Sequence, residues 1–120
     1  MPMNQTHHVI DYIEFGVTDM AESQAFYAAA FGWEFNQYGP DYAGIRKPSG
    51  EGEVGGMAVV ESVTTGGVLV VLYSDDLEAS LASVEAAGGR ISNPPFDFPG
   101  GRRFQFLDPS GNELAVWSMP

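Results

Sequence analysis

The chain has 120 residues, with 16 acidic and 5 basic side chains, a formal charge of -11, no cysteine and 44% hydrophobic residues. That is one domain's worth of globular composition, and it excludes disulfides, thiolate metal sites and intrinsic disorder. So acidic a chain repels phosphate backbones and anionic headgroups, and no apolar run reaches the ~18 residues of a membrane span, so neither a nucleic-acid nor a membrane partner is expected.

The first periodic segment runs from Val9 to Val17, where Ile13, Phe15 and Val17 alternate with Tyr12, Glu14 and Gly16 as in a strand. Asp19, with Glu22 three residues on, starts a helix of good helix formers that ends at Gly32. Short strands are predicted over Trp33–Tyr38, Tyr42–Lys47 and Met57–Glu61, with Pro48–Glu53 as a polar loop. Val68–Tyr73 is apolar on both faces, the pattern of a strand covered on both sides. Asp75-Asp76 opens a second helix with Leu77, Leu81, Val84 and Gly88 in one stripe, and Gly88-Gly89 closes it. Arg90–Asn93, Arg103–Leu107 and Asn112–Ser118 read as strands, Asn93–Gly101 as an irregular edge or loop, and Asp108–Asn112 as a tight turn.

The order strand, helix, three strands therefore occurs twice. A shift of 57 residues lays Asp19 on Asp76, Met20 on Leu77, Ser23 on Ser80 and Gly32 on Gly89. A period this long marks a repeated supersecondary unit.

Five segments carry a resemblance: Val17-Thr18-Asp19, Phe26-Tyr27, Phe31-Gly32-Trp33, Ala87-Gly88-Gly89 and Asp108-Pro109-Ser110-Gly111-Asn112. With these in order over almost the whole chain, it resembles the vicinal oxygen chelate superfamily. That group contains glyoxalase I, extradiol dioxygenases, fosfomycin-modifying enzymes and bleomycin-binding resistance proteins. The resemblance implies an α+β fold of two βαβββ modules, about 9–61 and 68–118, within a single domain spanning 1–120. Two curved sheets would share a cavity, with the helices outside. Strand parity then turns Tyr12 and Glu14, Leu69, Val71 and Tyr73, and Glu113, Ala115 and Trp117 toward that cavity.

Metal-dependent members of the superfamily hold a divalent ion on such concave strand positions with His, Gln or Glu. Counted from the matching turns, the resemblance puts three of the ligand positions at Tyr12, Leu69 and Ala115. Leucine and alanine have no donor atom, and a neutral phenol is a poor ligand near pH 7. The expectation is a site with neither metal nor other cofactor. Glu61 is a possible fourth position, but one carboxylate makes no site.

Tyr12, Tyr73 and Trp117 are candidates for an aromatic wall, with Met57, Val59, Leu69 and Ala115 completing the ligand-binding set; the alternative is that the rings are ordinary core. Glu14 is the candidate catalytic residue, since a carboxylate in an apolar pocket can act as acid or base; otherwise it sits at a wet cavity mouth. Of Arg102 and Arg103, only one can face the cavity, where it would clamp an anion; the alternative is that both pair with surface acids. His7-His8 precedes the first strand and offers no Ser-His-Asp triad. The pairs Gly55-Gly56, Gly66-Gly67 and Gly100-Gly101 lack a following helix with Lys-Ser/Thr, so none is a phosphate loop and they read as loops and hairpin hinges.

The leading functional expectation is a metal-free protein that binds, and so sequesters, a small organic compound. The alternative is a superfamily enzyme, a lyase, isomerase or dioxygenase, with a displaced metal site or with carboxylate acid/base chemistry. The resemblance also implies a homodimer. The absence of cysteine suits a reducing compartment, and the start, Met1–His8, lacks the basic-then-apolar order of a signal peptide, so a cytoplasmic protein is expected.

Overall fold

A computed structural model describes residues 6–120; residues 1–5, on which part of the signal-peptide reading falls, lie outside the described residues. The element order is β1 (Ile13–Val17), α1 (Met20–Phe31), β2 (Phe35–Gln37), β3 (Tyr42–Arg46), β4 (Glu53–Val59), β5 (Val70–Tyr73), α2 (Leu77–Ala86), β6 (Arg90–Phe98), β7 (Gly101–Leu107) and β8 (Glu113–Ser118). The first four strands form one sheet in the order β1-β4-β3-β2, and the last four form another in the order β5-β8-β7-β6. In both, the strand before the helix pairs in parallel with the last strand of the group, and the other pairings are antiparallel. The sheets are curved and do not close into a barrel. The 57-residue repeat is thus a repeat of topology.

Both helices start on the predicted aspartates. Asp19 Oδ1 accepts from the Glu22 amide at 2.9 Å, and Asp76 Oδ1 accepts from the Ala79 amide at 3.1 Å, each satisfying an otherwise orphaned N–H of the first turn. The first helix stops at Gly32, whose φ of 73° places it in the left-handed region and lets its N–H reach the Ala28 carbonyl. The second ends at Ala86 with Ala87 as its cap, two residues earlier than the repeat predicts, and Gly88, at φ 101°, takes the left-handed turn in place of Gly89.

One core joins the two sheets. Val17, Phe26, Tyr27, Ile45 and Met57 meet Leu77, Val84, Phe104, Phe106, Leu114 and Val116 in a single buried cluster. The helices lie against one another, and Phe26 of α1 reaches Phe106 of β7 with ring centroids 6.0 Å apart.

Three strands extend beyond the bounds that the periodicity suggests, and β7 does so by opening at Gly101. β4 begins at Glu53, since Gly55 and Gly56 pair with Ile13 and Glu14 of β1 and are not a hinge. β6 runs on through Pro94 and Pro95 to Phe98. It is an edge strand with register breaks after Ile91 and Asn93, the context in which a strand tolerates proline. No helix among the described residues is long and apolar enough to cross a membrane.

Candidate functional site

The face of the first sheet turned away from the core is polar and built around two small residues. Parallel pairing sets Glu14 beside Gly56, and antiparallel pairing sets Gly56 beside Gly44. Tyr42 donates to Glu14 Oε1 at 3.0 Å, which leaves Tyr12 to donate to the Tyr42 oxygen. A Cβ on Gly56 would overlap both phenol oxygens, so the missing side chain is what seats them over the strand. The hydrogen bond with Tyr12 comes first, then burial and Glu14, in pushing the Tyr42 hydroxyl above the ordinary tyrosine range. A second group stands on β2, β4 and the residue after β2. Glu53 accepts from Asn36 at 2.9 Å and from Tyr38 at 2.6 Å, and its hydrogen bond holds the Tyr38 hydroxyl up. Glu53 reaches this face because β4 bulges at Val54 opposite Ile45 and Arg46, which inverts the alternation below Gly55.

The corresponding face of the second sheet is aromatic with one polar row. Tyr73 and Trp117 pair across β5 and β8, their rings edge to face at 5.1 Å, and Phe98 joins Trp117 at 6.3 Å. Beside them, Glu113 accepts from Ser92 at 2.7 Å and from the Gln105 amide at 3.1 Å, and Gln105 Oε1 accepts from Arg103 at 3.2 Å. Arg103 sits with its guanidinium carbon 5.3 Å from the centre of the Phe96 ring.

Two hollows lie along the seam between the sheets. One, of about 200 Å³, is lined by Glu14, Val68, Asn112 and Glu113 among others. The other, of about 180 Å³, is lined by Ile13, Phe15, Trp33, Val54, Val70 and Leu72 and is almost wholly apolar. A larger hollow, about 720 Å³, lies elsewhere, between the helices and the turn after β7. Its small alanines and open shape make it a groove between helices, remote from both decorated faces.

The divalent metal that the fold family implies can be tested against the donors present. Tyr12 spends its proton on Tyr42, while Leu69 and Ala115 offer no lone pair. Among the described residues there is no group of three or more His, Cys, Asp or Glu able to hold a metal ion. The donor set at these three positions does not fit a bound cation. Glu61 lies exposed beyond the end of β4.

The structure brings Tyr12 and Glu14 together on the first sheet, and Tyr73, Ala115 and Trp117 together on the second, with Leu69 one residue before β5. Ala115 is fully buried there, and Glu14 is exposed. Met57 and Val59 require a correction. Met57 pairs with Phe15 and Val59 with Val17, so both share the face of those two residues; Met57 is 0% exposed in the core, while Val59, at the strand end, is exposed. Gly56 and Ala58 take the positions that had been expected for them, a one-residue difference in register that inverts the strand. The periodicity also passed over Tyr42, Glu53, Phe96 and Gln105. Tyr42-Ala43-Gly44-Ile45 does carry a period-2 signal, with its apolar residues at 43 and 45 turned to the core. His7 and His8 stack on one another at 3.7 Å in the exposed segment before β1.

A model of the Glyoxalase/Bleomycin resistance protein/Dioxygenase superfamily matches residues 9–116. The chain belongs to that superfamily. It is 28% identical over 124 residues to the anthracycline biosynthesis protein DnrV of Streptomyces peucetius, with 88% of this chain and 45% of DnrV covered. The chain thus spans less than half the length of DnrV. Among solved structures, it resembles a glyoxalase-related enzyme from Fulvimarina pelagi at TM-score 0.79 and 23% identity, over 94% of this chain and 89% of the other. It also resembles TnmS3, an antibiotic binding protein from Streptomyces sp. CB03234, at TM-score 0.68 and 19% identity, over 98% and 100% of the two chains. At these identities the structural likeness speaks for the fold.

Proposed function

We propose that this superfamily member binds a small, flat organic molecule against the aromatic face of its second sheet, with no metal at Tyr12, Leu69 or Ala115. The reading rests on Tyr73, which packs edge to face on Trp117 and still leaves 52% of its surface exposed. A large ring held in water on a strand face is surface that an apolar ligand covers with gain, at roughly 25 cal/mol per Å² buried, and a ring-on-ring contact adds about 0.5–1.5 kcal/mol. Leu69 and Val71 extend the apolar surface. Tyr12, with Tyr42 and Glu14, supplies polar contacts from the first sheet. That DnrV is an anthracycline biosynthesis protein and TnmS3 an antibiotic binding protein supports a polycyclic aromatic guest. Two copies pair in this reading, in the cytoplasm, with the apolar seam beside Ile13 and Val54 covered by the pairing; a single 12.9 kDa species on size-exclusion chromatography at high concentration would refute the pairing.

Thermal unfolding in the presence of planar aromatic compounds, an anthracycline among them, tests the binding. A ligand at about a hundred times its Kd should add about 2.7 kcal/mol to stability. Trp117→Ala should weaken that ligand at least tenfold. No shift with any compound of the class sinks the proposal.

One observation favours a second reading. Tyr42 donates to Glu14, so a carboxylate and a phenol already share a proton donor chain. In that reading Glu14 is a general base for a proton abstraction. Glu14→Gln would then abolish turnover of a bound compound while leaving its affinity within a few fold.

A further inference from the structure

We propose that Arg103 is an anion clamp, so that the guest of the second sheet is an aromatic acid; this rests on the binding reading above and names the chemical class of its ligand. The chain holds 5 cationic side chains against 16 acids, so a guanidinium has no shortage of partners. Arg46 pairs with Glu34 at 3.4 Å, and Arg102 pairs with Glu78 at 2.7 Å and Asp97 at 3.5 Å. Arg103 is adjacent to Arg102 in sequence and therefore on the opposite face of β7; among the described residues it makes no ion pair, and unlike Arg90, which makes none either but is exposed, it is half-buried.

The network around Arg103 keeps carboxylates away from it. Gln105 donates its amide nitrogen to Glu113, and this fixes its oxygen toward Arg103. Glu113 is meanwhile engaged by Gln105 and by Ser92. The guanidinium thus meets a neutral carbonyl where a carboxylate stands one residue pair further along. Its Nε is buried without any hydrogen-bond partner, an unfavourable state for a donor. The remaining neighbours are aromatic: Phe96 lies under the guanidinium, and Trp117 is its direct partner across β7 and β8. A positive fork with unused donors, set beside Trp117 and Tyr73, fits a ring that stacks on the aromatics and carries a carboxylate or phenolate at its rim.

The test uses 2-naphthoate and its uncharged counterpart 2-naphthamide, titrated against the full chain with tryptophan fluorescence or calorimetry as readout. The expected result is at least tenfold tighter binding of the acid, weakening as salt rises. Arg103→Met should reduce the acid to the affinity of the amide and leave the amide nearly unchanged. Arg103→Lys, which keeps the charge and loses the fork, should fall between, and circular dichroism confirms that each variant is folded. Equal binding of acid and amide by the wild-type chain overturns the clamp and leaves aromatic binding standing. A preference that survives in a folded Arg103→Met also overturns it. Binding of neither compound overturns the clamp for this acid, and Trp117→Ala titrated with the anthracycline then decides separately whether the aromatic face binds at all.

Discussion

Tyr27 of α1 donates its hydroxyl to Asp108 Oδ2 at 2.7 Å, and this one bond ties the helix of the first half to the turn between β7 and β8 of the second. Asp108 is 5% exposed and is held from several sides. Its Oδ1 accepts from the backbone of Ser110 and Asn112, and its Oδ2 also accepts from the Asn112 side chain at 3.0 Å. Asn112 in turn donates to the Gly16 carbonyl of β1 at 2.8 Å. The Asp-Pro-Ser-Gly-Asn turn is therefore the latch between the halves. Tyr27→Phe removes a single donor from a buried carboxylate and should cost about 1.5–3 kcal/mol. Urea unfolding should show a lower midpoint with an unchanged slope; an unchanged midpoint would mean that the latch holds without the phenol.

The same tyrosine makes stability sensitive to alkali. Burial above all, then the charge and hydrogen bond of Asp108, hold its hydroxyl far above the ordinary value of 10.0. The fold accepts only the neutral phenol, whereas the unfolded chain ionises normally. The contribution is therefore complete below pH 10 and is lost as the pH rises beyond it. The urea midpoint should fall more steeply above that pH in the wild type than in Tyr27→Phe. Some slope remains in the variant, because Tyr38 and Tyr42 are also held up. Parallel slopes for the two proteins would contradict this account.

Gly55 and Gly56 should behave differently although they are neighbours on β4. A Cβ on Gly55 would overlap the Ile13 carbonyl oxygen, a backbone atom that cannot move without opening the β1–β4 ladder. A Cβ on Gly56 would overlap the phenol oxygens of Tyr42 and Tyr12, which are side-chain ends that can swing away. Gly55→Ala should thus destabilise by ~1–3 kcal/mol or more, and Gly56→Ala by less. Gly56→Ala should instead release the Tyr42 hydroxyl from Tyr12 and Glu14, so that one tyrosine titrates at lower pH in an ultraviolet difference titration. Equal loss of stability in both variants would sink the distinction.

These two glycines also show where the sequence is legible. Both helices, their aspartate caps and the pattern of the repeat can be read directly, because capping residues and 57-residue spacing are local signals. Gly55-Gly56 reads as a hinge, since nothing in the chain itself says that β1 will lie against it. The consequence was the inverted register of Met57 and Val59. β6 is hidden in the same way: Asn93-Pro94-Pro95 breaks a strand pattern unless the strand is known to be an edge, and with it Phe96 and Phe98 are lost from view. That Tyr73, Ala115 and Trp117 share one face of the second sheet is legible because they sit on unbroken strands whose parity needs no outside information. Arg102 and Arg103 could be separated by face from alternation alone, but which of them would find a carboxylate depended on Glu78, brought close only by the packing of α2.

The donor chemistry at Tyr12, Leu69 and Ala115 leads to a prediction about metal removal. A leucine and an alanine cannot bind an ion, and two carboxylates on the same sheet faces are already engaged, Glu14 by Tyr42 and Glu113 by Ser92 and Gln105. Exhaustive dialysis against a chelator should therefore leave both the unfolding temperature and the ligand-induced shift unchanged to within about a degree, since only a ligand that binds the native state moves the transition. Adding back zinc, nickel, manganese or iron should not alter either. A shift that disappears on chelation and returns with one equivalent of a single metal would overturn the metal-free reading and make the superfamily's enzymes the better guide. Elemental analysis of the purified protein, read beside the same titration, separates a resident ion from one scavenged by the exposed pair His7-His8, because only the former would change ligand binding.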